Sequence, residues 1–394
     1  MISVEEARRQ IRENSAVLEA VECFLEEAWG RVLAEDVISD AFYPSGDRSM
    51  MDGYVISADA EPGNFNLVGE IPAGAVPDHV LEAGEAMRIF TGALLPEGGG
   101  RVIMQEEVKR DGGRISIGEF AENRFIRPQG SESTPGQVVL EKGRLLGATE
   151  LAILAQVGSV RCKVVRRPVV RHLATGNELV PPCQTPGQGQ IRDTNSTLLA
   201  GLLKSMGIDL SDSHHALDDP QSLAEIAEGD WDILLVSGGA SVGDYDFGAE
   251  ALKRLGFIIH FDRVNLRPGK PLTFATREKQ VAFVIPGNPV SHFVCFQVAI
   301  RLAVETMAGR EIGWDFLSLK LEKGAALKPD PRDTFWPARV SVKDGELSIA
   351  PVRWSTSGDT FSLVGINALA RINGNSPSGG CVKALLLDLP VSGL

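Results

Sequence analysis

The sequence predicts a multidomain α/β plus β protein, and three observations support that class. The chain has 394 residues, a length that exceeds one ordinary domain and suits two to four. Hydrophobic residues make up 43% of it, enough to form large cores. Residues 166–309 alternate strand-like and helix-like runs, which predicts a mostly parallel sheet covered on both faces. Residues 46–141 and 310–394 contain short runs of alternating polarity separated by turn residues, which is typical of β domains.

The N-terminal region predicts helices. Ser3 and Glu6 have the spacing of a capping box at the start of a first helix, and we expect a second helix near residues 18–33. Helical periodicity returns at residues 146–157. We therefore expect residues 1–45 and 142–165 to form one discontinuous helical linker or dimerisation domain, interrupted by a β-rich domain at 46–141.

The strands and helices of the α/β region are predicted from its hydrophobic runs and from the cap and turn residues between them. Strand-like runs are PVVRHLAT, DILLVSGG, FIIHFDRV and VAFVIPG, and helix-like runs are STLLAGLLKSMG, PQSLAEIAEG, FGAEALKRLG and PVSHFVCFQVAIRLAVETMAG. Asp219 before Pro220 predicts a helix N-cap and first helical residue. Glycines stand where helices should end, at Gly207, Gly229, Gly256 and Gly309. For residues 310–394 we expect a small β-barrel or sandwich.

Composition excludes several classes of partner. The formal net charge of −13 argues against coating nucleic acid or an anionic membrane surface. No apolar run is expected to reach the length of a membrane span, and the charged N-terminus lacks the apolar core of a signal peptide. The five scattered cysteines form no CxxC pair and fit neither a disulfide framework nor a zinc site. We expect a soluble, cytoplasmic protein.

Four loops that follow strands in the α/β region share Gly, Pro, hydroxyl and carboxylate residues: LATGNELV, ALDDP, VSGGASVGDYD and IPGNPVS. Ligands of parallel sheets bind beyond the carboxyl ends of the strands, so these loops predict the site. In the third loop, glycines allow close approach of a ligand, and backbone N–H groups can face an anion. The residues of this turn are Ser237, Gly238, Gly239, Ala240 and Ser241. Taken alone, such a turn is more often structural.

Carboxylates and cations flank that turn. Glu178, Asp218 and Asp246 would sit at neighbouring strand ends, where each alone could be a solvated acid or a helix cap. Together, beside an anionic ligand, they predict a bound Mg²⁺. The segment RVNLRPGKP supplies Arg263, Arg267 and Lys270, which can clamp phosphate or another oxyanion, the alternative being a solvated basic hairpin.

The remaining candidate residues carry no chemistry by themselves. Asp52-Gly53 and Thr91-Gly92 are turn dipeptides in the β-rich region. The six histidines show neither metal-ligand spacing nor a Ser/His/Asp pattern, and we assign them no role.

Nine collinear motifs make the chain resemble the molybdopterin molybdenumtransferase family, the MoeA type that also forms the E domain of gephyrin. These motifs are SMMDGY, TGALLPEG, VIMQEE, NRFIRPQG, ATGNELV, QIRDTNS, SGGASVGDYD, RPGKP and IPGNPVS. The resemblance implies an elongated four-domain chain, a homodimer, with one domain like molybdopterin adenylyltransferases. It implies Mg²⁺-dependent insertion of molybdate into adenylylated molybdopterin with release of AMP.

The resemblance also implies which residues form the site. The catalytic positions map onto Asp52, Thr91, Glu178, Asp218 and Asp246, the last three as metal ligands. Substrate and oxyanion positions map onto Ser237, Gly238, Gly239, Ser241, Arg263, Arg267, Lys270, Pro286, Pro289, Arg339 and Ser357. Asp52 and Thr91 would come from the partner subunit.

The sequence departs from the family pattern at two basic positions, and other functions are compatible with it. Arg263 and Arg267 stand where many family members carry lysine, which keeps the charge but changes its geometry. A molybdopterin adenylyltransferase is a further candidate partner. The alternative functions are a non-catalytic scaffold of the gephyrin E-domain type, a paralogue that handles tungstate, or one that adenylylates the pterin.

Overall fold

The computed structural model describes residues 1–239, 247–311, 316–323, 327, 330–343, 345–373 and 380–387. The chain divides into two compact units. The first contains Met1–Glu22, Gly30–Ala34 and Lys163–Leu394, and the second contains Cys23–Trp29 and Glu35–Cys162. The four domain boundaries expected from the sequence stay a prediction.

The helices of the described residues are α1 (Val4–Glu13), α2 (Ala148–Gln156), α3 (Asn195–Ser205), α4 (Pro220–Ala227), α5 (Phe247–Arg254), α6 (Pro289–Cys295) and α7 (Arg301–Met307). Two predicted N-caps are confirmed, because the Ser3 side chain accepts from the Glu6 amide and the Asp219 side chain from the Ser222 amide. The four glycines predicted at helix ends all have positive φ, and Gly207, Gly256 and Gly309 lie near the left-handed helical region that commonly ends a helix.

The helix expected near residues 18–33 is wrong. Strand β1 (Ala20–Phe24) occupies the segment, followed by a 3₁₀ turn at Leu25–Glu27. It pairs with the strand Arg161–Val165, and the Leu25 amide donates to the Val160 carbonyl at 3.0 Å. The Ala-, Leu- and Glu-rich sequence has good helix propensity, but pairing with a strand far along the chain overrides it.

The second unit is β-rich, as predicted. Six of its strands form one sheet in the order β7-β4-β6-β5-β9-β8, and β3 pairs with β10 and β2 with β11. The strands are β2 (Val37–Ile38), β3 (Arg48–Ser49), β4 (Gly53–Ser57), β5 (Gly63–Ile71), β6 (Glu85–Ile89), β7 (Gly99–Met104), β8 (Val108–Asp111), β9 (Arg114–Ile117), β10 (Ile126–Arg127) and β11 (Val138–Leu140).

The α/β region of the first unit contains a six-stranded sheet in the order β16-β13-β17-β21-β20-β18. The first four strands are parallel, and β20 and β18 continue the sheet antiparallel. The strands from here to the end of the region are β12 (Arg161–Val165), β13 (Val170–Thr175), β14 (Leu179–Val180), β15 (Ile191–Arg192), β16 (Leu210–Ala216), β17 (Ile233–Ser237), β18 (Ile258–Phe261), β19 (Leu266–Arg267), β20 (Thr273–Arg277) and β21 (Gln280–Ile285).

Hydrophobic side chains cover both faces of this sheet. Alternate residues of β17 enter different clusters, Ile233 and Leu235 on one face and Leu234 and Val236 on the other. This alternation follows from the two-residue period of a strand, and it confirms the doubly covered parallel sheet. The four parallel strands therefore end at one common edge.

One helical stretch is longer and more apolar than expected. A π-helical turn at Phe296–Ile300 joins α6 to α7. The combined stretch Pro289–Met307 has 19 residues and a mean hydropathy of 1.2, enough by length and composition to cross a membrane, and the expectation that no run would do so is wrong. The stretch is 89% buried inside the protein, as a core helix is.

The C-terminal part of the first unit is a closed β-barrel, as expected. Its strands are β22 (Leu317–Leu321), β23 (Asp333–Lys343), β24 (Glu346–Pro351), β25 (Ala368–Asn373) and β26 (Cys381–Leu386). They follow the order β23-β24-β22-β26-β25, and β25 pairs again with β23, which closes the five strands. Strand β19 extends this sheet at β23.

Candidate active site

A cleft of about 780 Å³ opens at the carboxyl ends of the four parallel strands. All four loops singled out in the sequence contribute to it. We call it the acidic cleft; its lining includes Thr175, Gly176, Glu178, Arg192, Asp193, Asn195, Asp218, Ser237, Gly238, Gly239, Gly287, Asn288, Pro289, Gly358 and Thr360. Gly358 and Thr360 come from the C-terminal region, so the cleft also involves the barrel domain.

Three carboxylates face this cleft: Glu178, Asp193 and Asp218. Within the described ranges, neither Glu178 nor Asp218 has an ion-pair partner. No group of three or more His, Cys, Asp or Glu side chains in the described part of the chain could hold a metal ion. The predicted third ligand, Asp246, lies outside the described residues, as does Ser241.

The glycine turn after β17 lies against the strand beside it. Gly238 has a φ of +91°, and a Cβ atom there would lie 2.6 Å from the Thr175 hydroxyl oxygen. Only glycine fits this position. The Gly238 amide donates to the Ile285 carbonyl at 2.9 Å, so this N–H is not available to an anion, contrary to the expectation that the turn offers its amides.

A second cleft, of about 530 Å³, carries the positive charge. We call it the basic cleft; its lining includes Arg267, Lys270, Pro286, Gly287, Asn288, Ser291, Arg332, Trp336, Trp354, Ser355, Thr356 and Ser357. It shares Gly287 and Asn288 with the acidic cleft. The two clefts therefore adjoin at the loop after β21.

One carboxylate organises the cations of the basic cleft. Asp330 accepts from Arg267 at 2.6 Å and from Arg332 at 3.0 Å. The hydrogen bond from Arg332, assisted by the charge of Arg267, lowers the pKa of Asp330. Lys270 has no ion-pair partner among the residues described, so three cations against one carboxylate leave the cleft positive. The Arg267 guanidinium also lies 5.6 Å from the Trp354 ring centre.

The structure does not bring every predicted residue to these clefts. Pro289 lines the acidic cleft, and Pro286 and Ser357 line the basic cleft. Arg263 is exposed and lines neither, its carbonyl accepting from the Ile2 amide. Arg339 also lines neither, and its guanidinium donates to the Val364 carbonyl at 2.9 Å.

Asp52 and Thr91 lie together in the second unit. One carboxylate oxygen of Asp52 accepts from the Thr91 amide at 2.8 Å and from the Thr91 hydroxyl at 3.0 Å. The amide and hydroxyl donors lower the pKa of Asp52, so the group is a stable carboxylate. Asp52 and Thr91 are 39 residues apart in sequence but in direct contact. Their assignment to one site requires such a contact.

Sequence reasoning missed two residues, one that lines a cleft and one that contacts a residue of a cleft. Arg332 lines the basic cleft, and only its place in the fold distinguishes it from other arginines of the barrel. His172 lies in β13, and its Nε2 is 2.6 Å from the hydroxyl oxygen of Ser237, which lines the acidic cleft. The sequence shows no Ser/His/Asp pattern at this histidine, because the contact forms only when β13 and β17 pair and bring together residues 65 positions apart.

Comparisons with known proteins agree with this architecture. Three family profiles match: "MoeA N-terminal region (domain I and II)" at residues 2–158, "Probable molybdopterin binding domain" at 171–306, and "MoeA C-terminal region (domain IV)" at 320–387. The acidic cleft thus lies in the region matched by the molybdopterin binding domain, beside the C-terminal region.

Individual relatives extend over nearly the whole chain. A molybdopterin molybdenumtransferase of Nostoc sp. is 36% identical over 92% of this chain and 87% of its own length. One from Staphylococcus aureus is 30% identical over 95% of this chain and 92% of its own length. The crystal structure of the molybdopterin biosynthesis MoeA protein from Pyrococcus horikoshii has a TM-score of 0.81 at 28% identity, covering 98% of this chain and 100% of that one.

The fold, the clefts and these relatives define a multidomain transferase of molybdenum cofactor biosynthesis. The chain belongs to the molybdopterin molybdenumtransferase family.

Proposed function

We propose that the chain inserts molybdenum from molybdate into adenylylated molybdopterin. In this reaction water cleaves the phosphoanhydride of the adenylylated pterin and AMP leaves. The two dithiolene sulfurs bind molybdenum in place of one oxygen of molybdate, which leaves as water with the two thiol protons. The observation that carries the proposal is that an acidic and a basic cleft adjoin at Gly287 and Asn288. A phosphate-linked ligand in one cleft can thereby meet an oxyanion in the other.

The acidic cleft suits the adenylylated pterin together with Mg²⁺. Glu178 and Asp218 would hold the ion, since Mg²⁺ commonly takes one or two protein carboxylates and completes its shell with phosphate oxygens and water. Bound there, Mg²⁺ would neutralise charge on the phosphate oxygens. Asp246 remains a candidate third ligand.

Two buried polar atoms support a ligand in the acidic cleft. The Thr175 hydroxyl and the Asn195 side-chain oxygen have no hydrogen-bond partner among the described residues. Both residues line the cleft, and Thr175 is only 5% exposed. A buried polar atom without a partner is costly, so a polar ligand would restore the missing hydrogen bonds.

The basic cleft suits molybdate. Arg267 and Arg332 offer planar guanidinium groups that bind two oxygens of an oxyanion at once, and Lys270 adds a mobile point charge. Asp330 fixes both guanidinium groups, so they are oriented before the oxyanion arrives. Catalysis then depends on charge neutralisation and orientation rather than on a nucleophilic side chain.

A second copy of the chain completes the site in this proposal. Asp52 and Thr91 belong to the second unit, while the residues that line both clefts belong to the first. A homodimer can supply the Asp52–Thr91 pair from the partner subunit. Mixing an Asp52→Ala variant with an Asp218→Asn variant would then restore part of the activity, because one of the two sites would be intact.

Release of AMP tests the reaction. Purified protein with adenylylated molybdopterin, molybdate and Mg²⁺ should release AMP, and the release should stop when EDTA removes the divalent ion. Omitting molybdate or replacing it with tungstate measures the oxyanion preference. Absence of AMP release with all three components present would refute the proposed reaction. Release of pyrophosphate from ATP in the presence of molybdopterin would indicate adenylylation instead.

A further inference from the structure

His172 is a buried histidine with both ring nitrogens engaged. It lies in the middle of β13, it is 0% exposed, and β16 and β17 flank it in the sheet. Its Nε2 is 2.6 Å from the Ser237 hydroxyl oxygen, and its Nδ1 is 3.0 Å from the Ser213 hydroxyl oxygen. The side chain therefore connects the last residue of β17 to the strand on its other side.

The contacts continue from Ser213 back to the acidic cleft. The Ser213 hydroxyl donates to the Ser196 hydroxyl at 3.5 Å, the longest contact of the series. Ser196 donates to Asp193 through both its amide, at 3.0 Å, and its hydroxyl. Asp193 and Ser237 both line the acidic cleft, so the series begins and ends there. We call these five side chains the His172 relay.

The direction of each hydrogen bond follows from the carboxylate. Asp193 as a carboxylate can only accept, so the Ser196 hydroxyl donates to it and accepts from Ser213. The Ser213 oxygen must then accept from Nδ1–H of His172. A neutral imidazole with its hydrogen on Nδ1 leaves a lone pair on Nε2, which accepts the hydroxyl hydrogen of Ser237.

Burial keeps the imidazole in this neutral form. Desolvation lowers the pKa of His172 to about 4, and the nearby Asp193 charge opposes the shift only in part. At neutral pH the ring therefore carries one hydrogen, and the two hydroxyls on either side must have opposite roles.

We propose that His172 is a positioning residue that takes the hydroxyl hydrogen of Ser237, so that Ser237 can only accept a hydrogen bond from the ligand. Ser237 then recognises an N–H or O–H group, such as those of a pterin ring or a ribose, and disfavours an oxyanion. This assigns a donor-bearing part of the ligand to Ser237 in the acidic cleft, with the phosphate oxygens near Glu178 and Asp218 and molybdate in the basic cleft. The identity of that ligand rests on the proposed function, but the hydrogen-bond direction does not.

Nitrogen NMR of the protein labelled at histidine tests the direction without any activity measurement. The His172 signals are those missing from the spectrum of His172→Gln. We expect Nδ1 protonated and Nε2 unprotonated, with the Nε2 shift changing in Ser237→Ala. A proton on Nε2 would overturn the proposal, because Ser237 would then be free to donate to the ligand.

Steady-state kinetics test whether the direction of the His172–Ser237 hydrogen bond affects ligand binding. Ser237→Ala and His172→Leu should each raise KM for adenylylated molybdopterin about two- to tenfold with kcat little changed, as expected for loss of one hydrogen bond. The double variant should be no worse than Ser237→Ala, because His172 acts through Ser237. His172→Gln, whose amide oxygen can accept from Ser237, should recover part of the loss.

Two serines of β16, Ser213 and Ser211, separate an effect on the His172 relay from an effect on folding. Ser213→Ala removes the acceptor of Nδ1–H and should raise KM in the same direction. Ser211→Ala, two residues away, removes a hydroxyl that donates to the Val170 carbonyl at 2.6 Å outside the His172 relay, and it should leave KM unchanged. Equal effects of the two serines, or additive effects of His172→Leu and Ser237→Ala, would refute the positioning role. An inactive wild-type protein would refute the proposed function and leave the NMR result standing.

Discussion

Asp218 and Asp219 are neighbours in sequence with different surroundings, and they form a matched pair for testing the acidic cleft. Asp218 lines the cleft, whereas Asp219 caps α4. We expect Asp218→Asn to lower the rate of AMP release on the order of a hundredfold, because charge neutralisation at the phosphate is lost. Asp219→Ala should lower the free energy of unfolding by about 1 kcal/mol and leave the rate unchanged. Urea unfolding and the AMP assay on both variants measure this, and equal rates for the two would remove Asp218 from the site.

Arg332 and Arg339 form the corresponding pair for the basic cleft. Arg332→Ala removes a guanidinium from the cleft wall, and we expect KM for molybdate to rise about ten- to a hundredfold, the loss of a charge-assisted contact. Arg339→Ala should leave that KM unchanged, since Arg339 donates to the Val364 carbonyl away from the cleft. Molybdate titrations of both variants decide between them. A larger effect at Arg339 would return the oxyanion role to the residue that the sequence resemblance indicates.

At this scale the sequence identifies residues that stand beside recognisable turns, and it fails for residues that act through distant contacts. Glu178, Asp218, Ser237 and Lys270 all stand at or just after a strand end or a Pro-Gly turn, and the structure places each on a cleft wall. Arg332 lines the basic cleft from the residue before β23, and His172 contacts Ser237 only because β13 pairs with β17. Pairing of strands is a long-range property that local patterns do not contain.

At the scale of elements, the pairing of β1 with β12, in the segment where the sequence predicts a helix, can be tested directly. Cys23 in β1 and Cys162 in β12 lie with their sulfur atoms 4.0 Å apart, and both are buried. Mild oxidation with a small disulfide reagent should therefore join them, since a modest shift brings the sulfur atoms to bonding distance. Peptide mapping should show a Cys23–Cys162 link and the loss of two hydrogen masses.

Cys23→Ser is the control, and it should leave Cys162 without this link. Because the Cys23 and Cys162 thiols are both buried, the reagent is present while the protein refolds from urea. A refolded protein that holds no Cys23–Cys162 link although Cys183 and Cys381 have reacted contradicts the pairing of β1 with β12.

The elements that the sequence predicts well are those with local signals. Caps at Ser3 and Asp219 and β-branched runs such as DILLVS specify their own structure. β1 and β20 lack such signals. β1 has a helix-forming composition, and β20 extends the sheet antiparallel after the parallel strands, a position that strand alternation alone does not predict.

At the scale of the whole molecule, two buried histidines make stability depend on pH. Burial lowers the pKa of His292 to about 3, assisted by His172, and that of His172 to about 4. Both folded-state values lie below the unfolded value near 6.5, so the unfolded chain binds more protons between about pH 6.5 and 4. The free energy of unfolding should therefore fall as pH drops through this window, by up to about 1.4 kcal/mol per pH unit for each histidine.

Urea unfolding of the wild type and of His292→Leu between pH 7 and 5 measures how much His292 contributes to the pH dependence of the free energy of unfolding. The variant should lose less stability on acidification, since one of the two groups is gone. Parallel curves would show that His292 does not remain neutral in the folded protein.

The N-terminal helix has a consequence for the order of events during synthesis. The Arg8 guanidinium donates to the Val298 carbonyl, 290 residues later, and Leu18 donates to Met307. Val4, Ala7 and Ile11 share one core cluster with Phe296 and Ile300. At about 5–20 residues per second, the ribosome delivers that docking surface about 15–60 s after the helix emerges. The apolar stripe of this helix thus stays unburied until the docking surface is made, and during that interval it is exposed to chaperones and to neighbouring nascent chains.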